Sequence, residues 1–185
     1  MSQTLTTETA DSILVPIDFS TVSNKALLFA AQLAECSSQS LLVLHVVHED
    51  VHGSYRYTRR NEWEQILPID EIAERMLQDF MSDIREQHPD SAVLANAGMM
   101  VVSGLPATRI PEIARLTGAD LIVMGSNGRS SLSKLVAGSV SKKVMRKSLV
   151  PVTIVHLNGT ASEHGRIDAH RIDGTEPFQV SAELG

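Results

Sequence analysis

Residues 13–17 read Ile13-Leu14-Val15-Pro16-Ile17, an apolar run that ends at Asp18. The run is too short for a helix and shows no polar alternation, which is typical of a strand buried on both faces of a parallel sheet. Four similar runs follow, over residues 41–47, 99–102, 121–124 and 151–155. Because each is separated from the next by a longer segment, the sequence predicts an α/β fold, a parallel sheet with helices on both sides.

The segments between the strands carry apolar residues at helical spacing. They predict four helices, over residues 21–35, 68–88, 106–117 and 133–147. Ser20 and Ser133 are candidate N-caps, and Pro68 suits the start of the second helix. Pro111 lies within the third segment, where a proline in the helix interior costs about 3 kcal/mol. We therefore expect that helix either to begin at Pro111 or to bend there.

The composition is that of a soluble globular protein. Of 185 residues, 43% are hydrophobic and 21% charged, and no apolar run approaches the ~20 residues of a membrane span. The single cysteine and a polar amino-terminal stretch without an export signal predict a cytoplasmic protein. The net charge of −6 argues against a nucleic-acid binder. We expect no membrane insertion and no nucleic-acid partner.

One folded domain with two extensions accounts for the length of the chain. The predicted domain covers residues 12–157, after a flexible lead-in over residues 1–11. From residue 158 to 185 the apolar periodicity stops, and five acidic residues against two arginines give this tail a charge of −3. The tail also holds a near-repeat, Arg166-Ile167-Asp168 and Arg171-Ile172-Asp173. We expect a polar, mobile tail.

A glycine-rich segment follows the fourth predicted strand, with glycines at 125, 128 and 138. Ligands bind at the carboxyl ends of strands in open parallel sheets, and glycine lets the main chain approach them closely. From Leu121 to Ser162 there is no acidic residue but six Lys or Arg, four of which suit the end of a helix. Arg129 instead lies beside the glycines. The residue types fit an anion site and a simple turn equally well.

The spacing Gly125-x2-Gly128-x9-Gly138-Ser139 resembles the G-2x-G-9x-G(S/T) signature of the ATP-binding branch of the universal stress protein family. Further stretches resemble that family in the same order: residues 15–20, 44–46, 104–106, 119–125 and 150–152. The resemblance covers residues 11–156. It implies a three-layer α/β/α, Rossmann-like fold of the adenine nucleotide alpha hydrolase type, with a five-stranded sheet in the order 3-2-1-4-5. It also implies a homodimer paired through the strand at 151–156.

The resemblance implies ATP as the ligand, with or without Mg²⁺, and assigns roles to individual residues. Asn127 stands where the family often has His. The implied contacts are Pro16, Ile17 and Asp18 with adenine and ribose, Val46 with the adenine edge, Met124 and Gly125 below the ribose and phosphates, and Gly128, Arg129, Gly138, Ser139 and Val140 with the phosphates. A carboxylate accepts hydrogen bonds from ribose hydroxyls but repels phosphate, which agrees with Asp18 at the sugar.

These features predict a nucleotide-dependent regulatory or stress-response protein. No side chain is placed as a base for water attack at the phosphates, so we expect no enzyme beyond slow ATP hydrolysis. The alternative is a nucleotide-free dimer that acts on an unknown protein partner through residues 49–67 or the tail. His48-Glu49-Asp50-Val51-His52 matches the zinc motif HExxH, but it follows a strand directly, so a solvated loop is favoured over a metal site.

Overall fold

The computed structural model describes residues 11–48, 68–126 and 138–156, and the backbone of residues 169–170. All five predicted strands are confirmed, with ends within two residues of those expected. A four-residue helix, α3, was not predicted because it is too short to show a period. The elements are β1 (Ser12–Ile17), α1 (Thr21–Ser37), β2 (Ser40–Val47), α2 (Ile69–Gln87), α3 (Ala92–Ala95), β3 (Gly98–Ser103), α4 (Pro106–Thr117), β4 (Leu121–Gly125), α5 (Ser139–Lys147), β5 (Val152–Val155) and β6 (Ala169–His170).

The sheet has the strand order β3-β2-β1-β4-β5-β6. Its first five strands are parallel, which confirms the predicted α/β fold and the order 3-2-1-4-5. β6 was not predicted: it comes from the tail and pairs antiparallel with β5. The polar, mobile tail over residues 158–185 stays a prediction, and apart from residues 169–170 it lies outside the described part of the chain.

The helices cover both faces of the sheet because its strands are apolar on both faces. Ile13, Val15 and Ile17 of β1 lie in one buried cluster with residues of α1 and α2. Leu14 points the other way and lies in a second cluster with residues of α4 and α5. Ser20 caps α1 as predicted, since its side chain accepts a hydrogen bond from the Ser23 amide.

The predicted start of α5 is wrong, and of the two alternatives for the third predicted helix a start at Pro111 does not occur, while a bend there stays a prediction. α4 begins at Pro106, where the missing amide hydrogen costs nothing, and not at Pro111, which lies inside the helix. α5 begins at Ser139 and not at Ser133, because Gly138 has extended backbone angles and forms the N-cap. Within the described ranges, no helix has the length and apolar character needed to cross a membrane.

Candidate functional site

We call the carboxyl edge of the sheet between β1 and β4 the β1–β4 cleft, because the register of these two strands ends before it. β1 pairs with β2 along all six of its residues, but its register with β4 comprises only Ile13 with Leu121 and Leu14 with Ile122. The chain leaves β1 toward β2 on one side, while β4 lies on the other, so the strand order changes direction here. Such a point is where open α/β sheets bind ligands.

Apolar side chains form the wall of this cleft on the α4 and α5 face. Val46 and Met124 are buried in the cluster on that face, and buried Pro16 points the same way as Leu14 by strand alternation. Ile17 faces the opposite cluster, so it presents only its main chain. The location of Pro16, Val46 and Met124 on one face suits a flat apolar group such as a purine base.

The carbonyl oxygen of Ile17 already has a partner. His45 is buried, and its Nδ1 lies 2.9 Å from that oxygen. Because a carbonyl can only accept, the proton of this bond belongs to Nδ1. The end of β1 is therefore joined to β2 by a side chain as well as by the strand ladder.

Asp18 follows β1 in a turn that fixes its carboxylate. Its Oδ1 accepts from the Ser20 amide at 3.1 Å and from the Ser20 hydroxyl at 2.5 Å. Between them, Phe19 has a φ of 60°, a left-handed conformation that is uncommon for a bulky residue. The Phe19 ring packs against His45, with centroids 4.5 Å apart, and this contact helps to hold the turn. The carboxylate thus has a defined position beside the cleft.

The amino end of α5 is tied to the end of β4 through the carbonyl of Ser126. That oxygen accepts from the Gly138 amide at 2.5 Å and from the buried Ser141 hydroxyl at 3.0 Å. The Ser126 amide donates to Val155 at 2.8 Å, which continues the β4–β5 pairing. The Gly138 amide is therefore used within the chain in this structure, and its contact with a phosphate stays a prediction.

The next two amides of α5 are available. In the described part of the chain, neither Ser139 nor Val140 donates its backbone N–H to a partner, and the Gly138 cap has no side chain to accept one. Ser139 is exposed and adds a hydroxyl. Unpaired amides at the positive end of a helix dipole form an anion site. Ser139 and Val140 are therefore the predicted phosphate donors of α5 whose amides have no partner among the described residues.

Gly125 is required by packing. A Cβ built on it would lie 2.8 Å from Cγ1 of Val22 and 3.2 Å from the Val22 carbonyl carbon. Val22 belongs to the first turn of α1, which therefore approaches the end of β4 closely. The sequence argument placed Gly125 close to a ligand. A side chain at this position would instead extend toward α1.

Arg109 is a residue of this edge that the sequence analysis missed. Gly104 directly follows β3 and has a φ of 133°. A Cβ built on it would lie 3.0 Å from Cγ of Arg109. The guanidinium bonds to Glu112 at 2.6 Å, while its buried Nε has no hydrogen-bond partner within the described residues. In the sequence, the Gly104-x-Pro106 pattern was the signal that this position is special. The positive φ of Gly104 shows why a glycine is needed there.

The remaining predicted features lie outside the described residues. They are Asn127, Gly128 and Arg129 of the glycine segment, and residues 49–67 with most of the HExxH motif. Across residues 11–48, 68–126 and 138–156, no group of three His, Cys, Asp or Glu side chains is arranged to hold a metal ion.

Comparison with known proteins gives consistent matches over the folded domain. Residues 9–156 match the universal stress protein family. Universal stress protein YxiE of Bacillus subtilis is 34% identical over 148 residues, covering 78% of this chain and 98% of its own. The structure of protein MJ0577 of Methanocaldococcus jannaschii superposes with a TM-score of 0.62 at 25% identity, over 82% of this chain and 99% of that one. A universal stress protein of Archaeoglobus fulgidus, solved in complex with dAMP, shares the fold with a TM-score of 0.54 at 22% identity, over 78% and 97%.

Proposed function

Because this chain belongs to the universal stress protein family, we propose that it binds an adenine nucleotide at the carboxyl edge of its sheet and acts as a nucleotide-dependent regulatory protein. The observation that carries the proposal is the pair of amides at Ser139 and Val140, which have no hydrogen-bond partner among the described residues and lie at the start of a helix beside the β1–β4 cleft. The complex of the Archaeoglobus fulgidus protein with dAMP supports the choice of an adenine nucleotide.

The proposed nucleotide lies with its base on the apolar wall and its phosphates at α5. Pro16, Val46 and Met124 contact the base, and the fixed carboxylate of Asp18 accepts from the ribose hydroxyls. The amides of Ser139 and Val140 donate to the phosphates. We further propose that Gly128 and Arg129 complete the phosphate contacts and that ATP is the physiological nucleotide, with or without Mg²⁺.

We propose regulation rather than catalysis. Near the amino end of α5 the described side chains are serines, and the buried hydroxyl of Ser141 is used in a structural bond to Ser126. A hydroxyl alone is a poor general base, so water attack at a phosphate has no assistance from these groups. Slow hydrolysis at most is expected. Cys36, the single cysteine, fits the reducing cytoplasm that we propose as the location.

Nucleotide binding is tested by thermal unfolding. At a free ATP concentration of 100 times Kd, binding adds about 2.7 kcal/mol, which raises Tm by about 5–10 °C for a chain of this size. Parallel titrations with AMP and with inorganic triphosphate separate the contribution of the base from that of the phosphates. Purified protein is also denatured and analysed for released nucleotide. If no nucleotide is released and ATP leaves Tm unchanged, the proposal is rejected.

Two serines of α5 provide a matched pair of variants. Ser139→Ala removes an exposed hydroxyl proposed to face the phosphates, so ATP affinity falls while the Tm of the free protein is unchanged. Ser141→Ala removes the buried bond to Ser126, so the free protein loses about 1 kcal/mol of stability. Gly128→Val places a side chain in the proposed phosphate path and abolishes the ATP-dependent rise in Tm. Unchanged ATP binding in both Ser139→Ala and Gly128→Val would refute the placement.

The homodimer implied by the resemblance would use the strand at 151–156. Val152 and Thr153 of that strand already pair with β6, so we propose this dimer for chains whose tail strand has left β5. The alternative function, a nucleotide-free interaction protein, makes the opposite prediction from ours. It requires that Gly128→Val leave function intact and that deletion of residues 158–185 abolish it.

A further inference from the structure

The outer edge of β5 is covered by a segment of the chain's own tail. Val152 pairs with His170, and Thr153 pairs with Ala169, in antiparallel register. β5 is the last of the five parallel strands, so β6 lies where the parallel sheet would otherwise end. The covering strand is two residues long and is reached from β5 by a connection over residues 156–168.

An uncovered β5 would be a surface for a second copy of this chain. The edge of a sheet exposes unpaired backbone N–H and C=O groups, which pair readily with another strand. Two identical edges can pair antiparallel about a two-fold axis, so the contact satisfies both copies at once. Just before β5, Leu149 is 82% exposed and adds an apolar contact to this edge.

Charge favours the tail as the occupant of this edge. The tail carries −3, from five acidic residues and two arginines. α5, which packs against β5, presents four exposed cations and no acidic residue: Lys142, Lys143, Arg146 and Lys147. Opposite charges on the tail and on the neighbouring helix keep the tail near the strand that it covers, more strongly at low salt.

We propose that β6 is an edge guard, which pairs with β5 within one chain and so limits strand-to-strand self-association. The pairing is short, so it can be displaced: release of residues 169–170 exposes β5 to a second copy. The inference does not depend on nucleotide binding, because it rests on the pairing of β5 with β6 and uses no residue proposed to contact the nucleotide.

The test compares self-association of three proteins by sedimentation velocity over a hundredfold range of concentration. The double variant Ala169→Pro/His170→Pro removes both backbone donors of β6, whichever of them faces β5. A chain ending at residue 157 removes the guard altogether. Ser181→Pro, a proline elsewhere in the tail, is the control. We expect the first two to associate at least about tenfold more tightly than the intact chain and the control to match it.

Hydrogen exchange gives a second readout that does not rely on the dimer. In dilute, monomeric samples, exchange over Val152–Val155 should accelerate in the double variant and stay unchanged in Ser181→Pro. Equal self-association of all proteins, or weaker association of the shortened chain, overturns the proposal, because the tail would then have no effect or would join two copies. The ATP-dependent rise in Tm, measured on the same samples, reports separately on the proposed nucleotide site.

Discussion

Gly125→Ala tests whether the glycine that ends β4 serves packing or ligand binding. The added Cβ would lie 2.8 Å from Cγ1 of Val22, well inside the ordinary contact range of 3.4–4 Å. Its second neighbour, the Val22 carbonyl carbon at 3.2 Å, is backbone and cannot rotate away. The backbone angles of Gly125 are not in the left-handed region, so the whole cost comes from space.

The expected decrease in the free energy of unfolding equals the cost of overpacking a core, which is about 1–3 kcal/mol. Taking about 2 kcal/mol, Tm falls by about 4–8 °C for a chain of this length. The assay is urea unfolding followed by circular dichroism, with Tm as a second measure. Because the new methyl group points at α1, ATP affinity measured well below Tm should stay the same.

Val22→Ala provides the rescue. Alone, it removes two buried methyl groups and costs about 1.6 kcal/mol, at about 0.8 kcal/mol for each. In the Val22→Ala background, however, Gly125→Ala should cost about 1 kcal/mol less than in the parent, since Cγ1 is gone. Strictly additive costs would refute the packing explanation. A loss of ATP affinity without a loss of stability would indicate that Gly125 contacts the ligand.

Two further substitutions probe the carboxyl edge. Gly104→Ala should lower the free energy of unfolding in urea by about 1–3 kcal/mol, because its φ of 133° disfavours a side chain and Arg109 fills the space. In the control Gly98→Ala, the new Cβ meets a Leu42 methyl group at 3.3 Å and the Leu41 carbonyl oxygen at 3.6 Å, so the loss should be smaller; equal losses would contradict this. Ser20→Ala removes the cap of α1 and should cost about 1–2 kcal/mol in the same assay, while exposed Thr21→Ala stays within about 0.5 kcal/mol. A loss for Thr21→Ala as large as that for Ser20→Ala would show that the cap is not the cause.

The strands were predictable because burial on both faces leaves an apolar run that local sequence shows directly. The Ser20 cap was predictable for the same reason, since its hydrogen bonds reach only three residues along the chain. Two short elements were not predicted, because α3 has four residues and β6 has two, which is too few to show a period. The start of α5 was also missed, because several serines before it could have been caps.

The site was predictable as a location but not in its contacts. The glycine spacing and the strand ends placed Asp18, Met124 and Ser139 at one edge, as the fold requires. Glycine is needed at position 125 because Val22, which is distant in sequence, lies against it. The Gly138 amide is used within the chain because it donates to the Ser126 carbonyl. Such contacts between distant segments leave no local pattern.

The bond from the Gly138 amide to the Ser126 carbonyl also sets how freely the eleven residues between them can change. Both ends of that segment are fixed at hydrogen-bonding distance by β4, β5 and α5. Lengthening a closed loop costs little, about 0.6 kcal/mol for each doubling. Insertions between residues 126 and 138 should therefore cost the sheet little stability, which makes this stretch the natural place to vary the phosphate contacts proposed for Gly128 and Arg129.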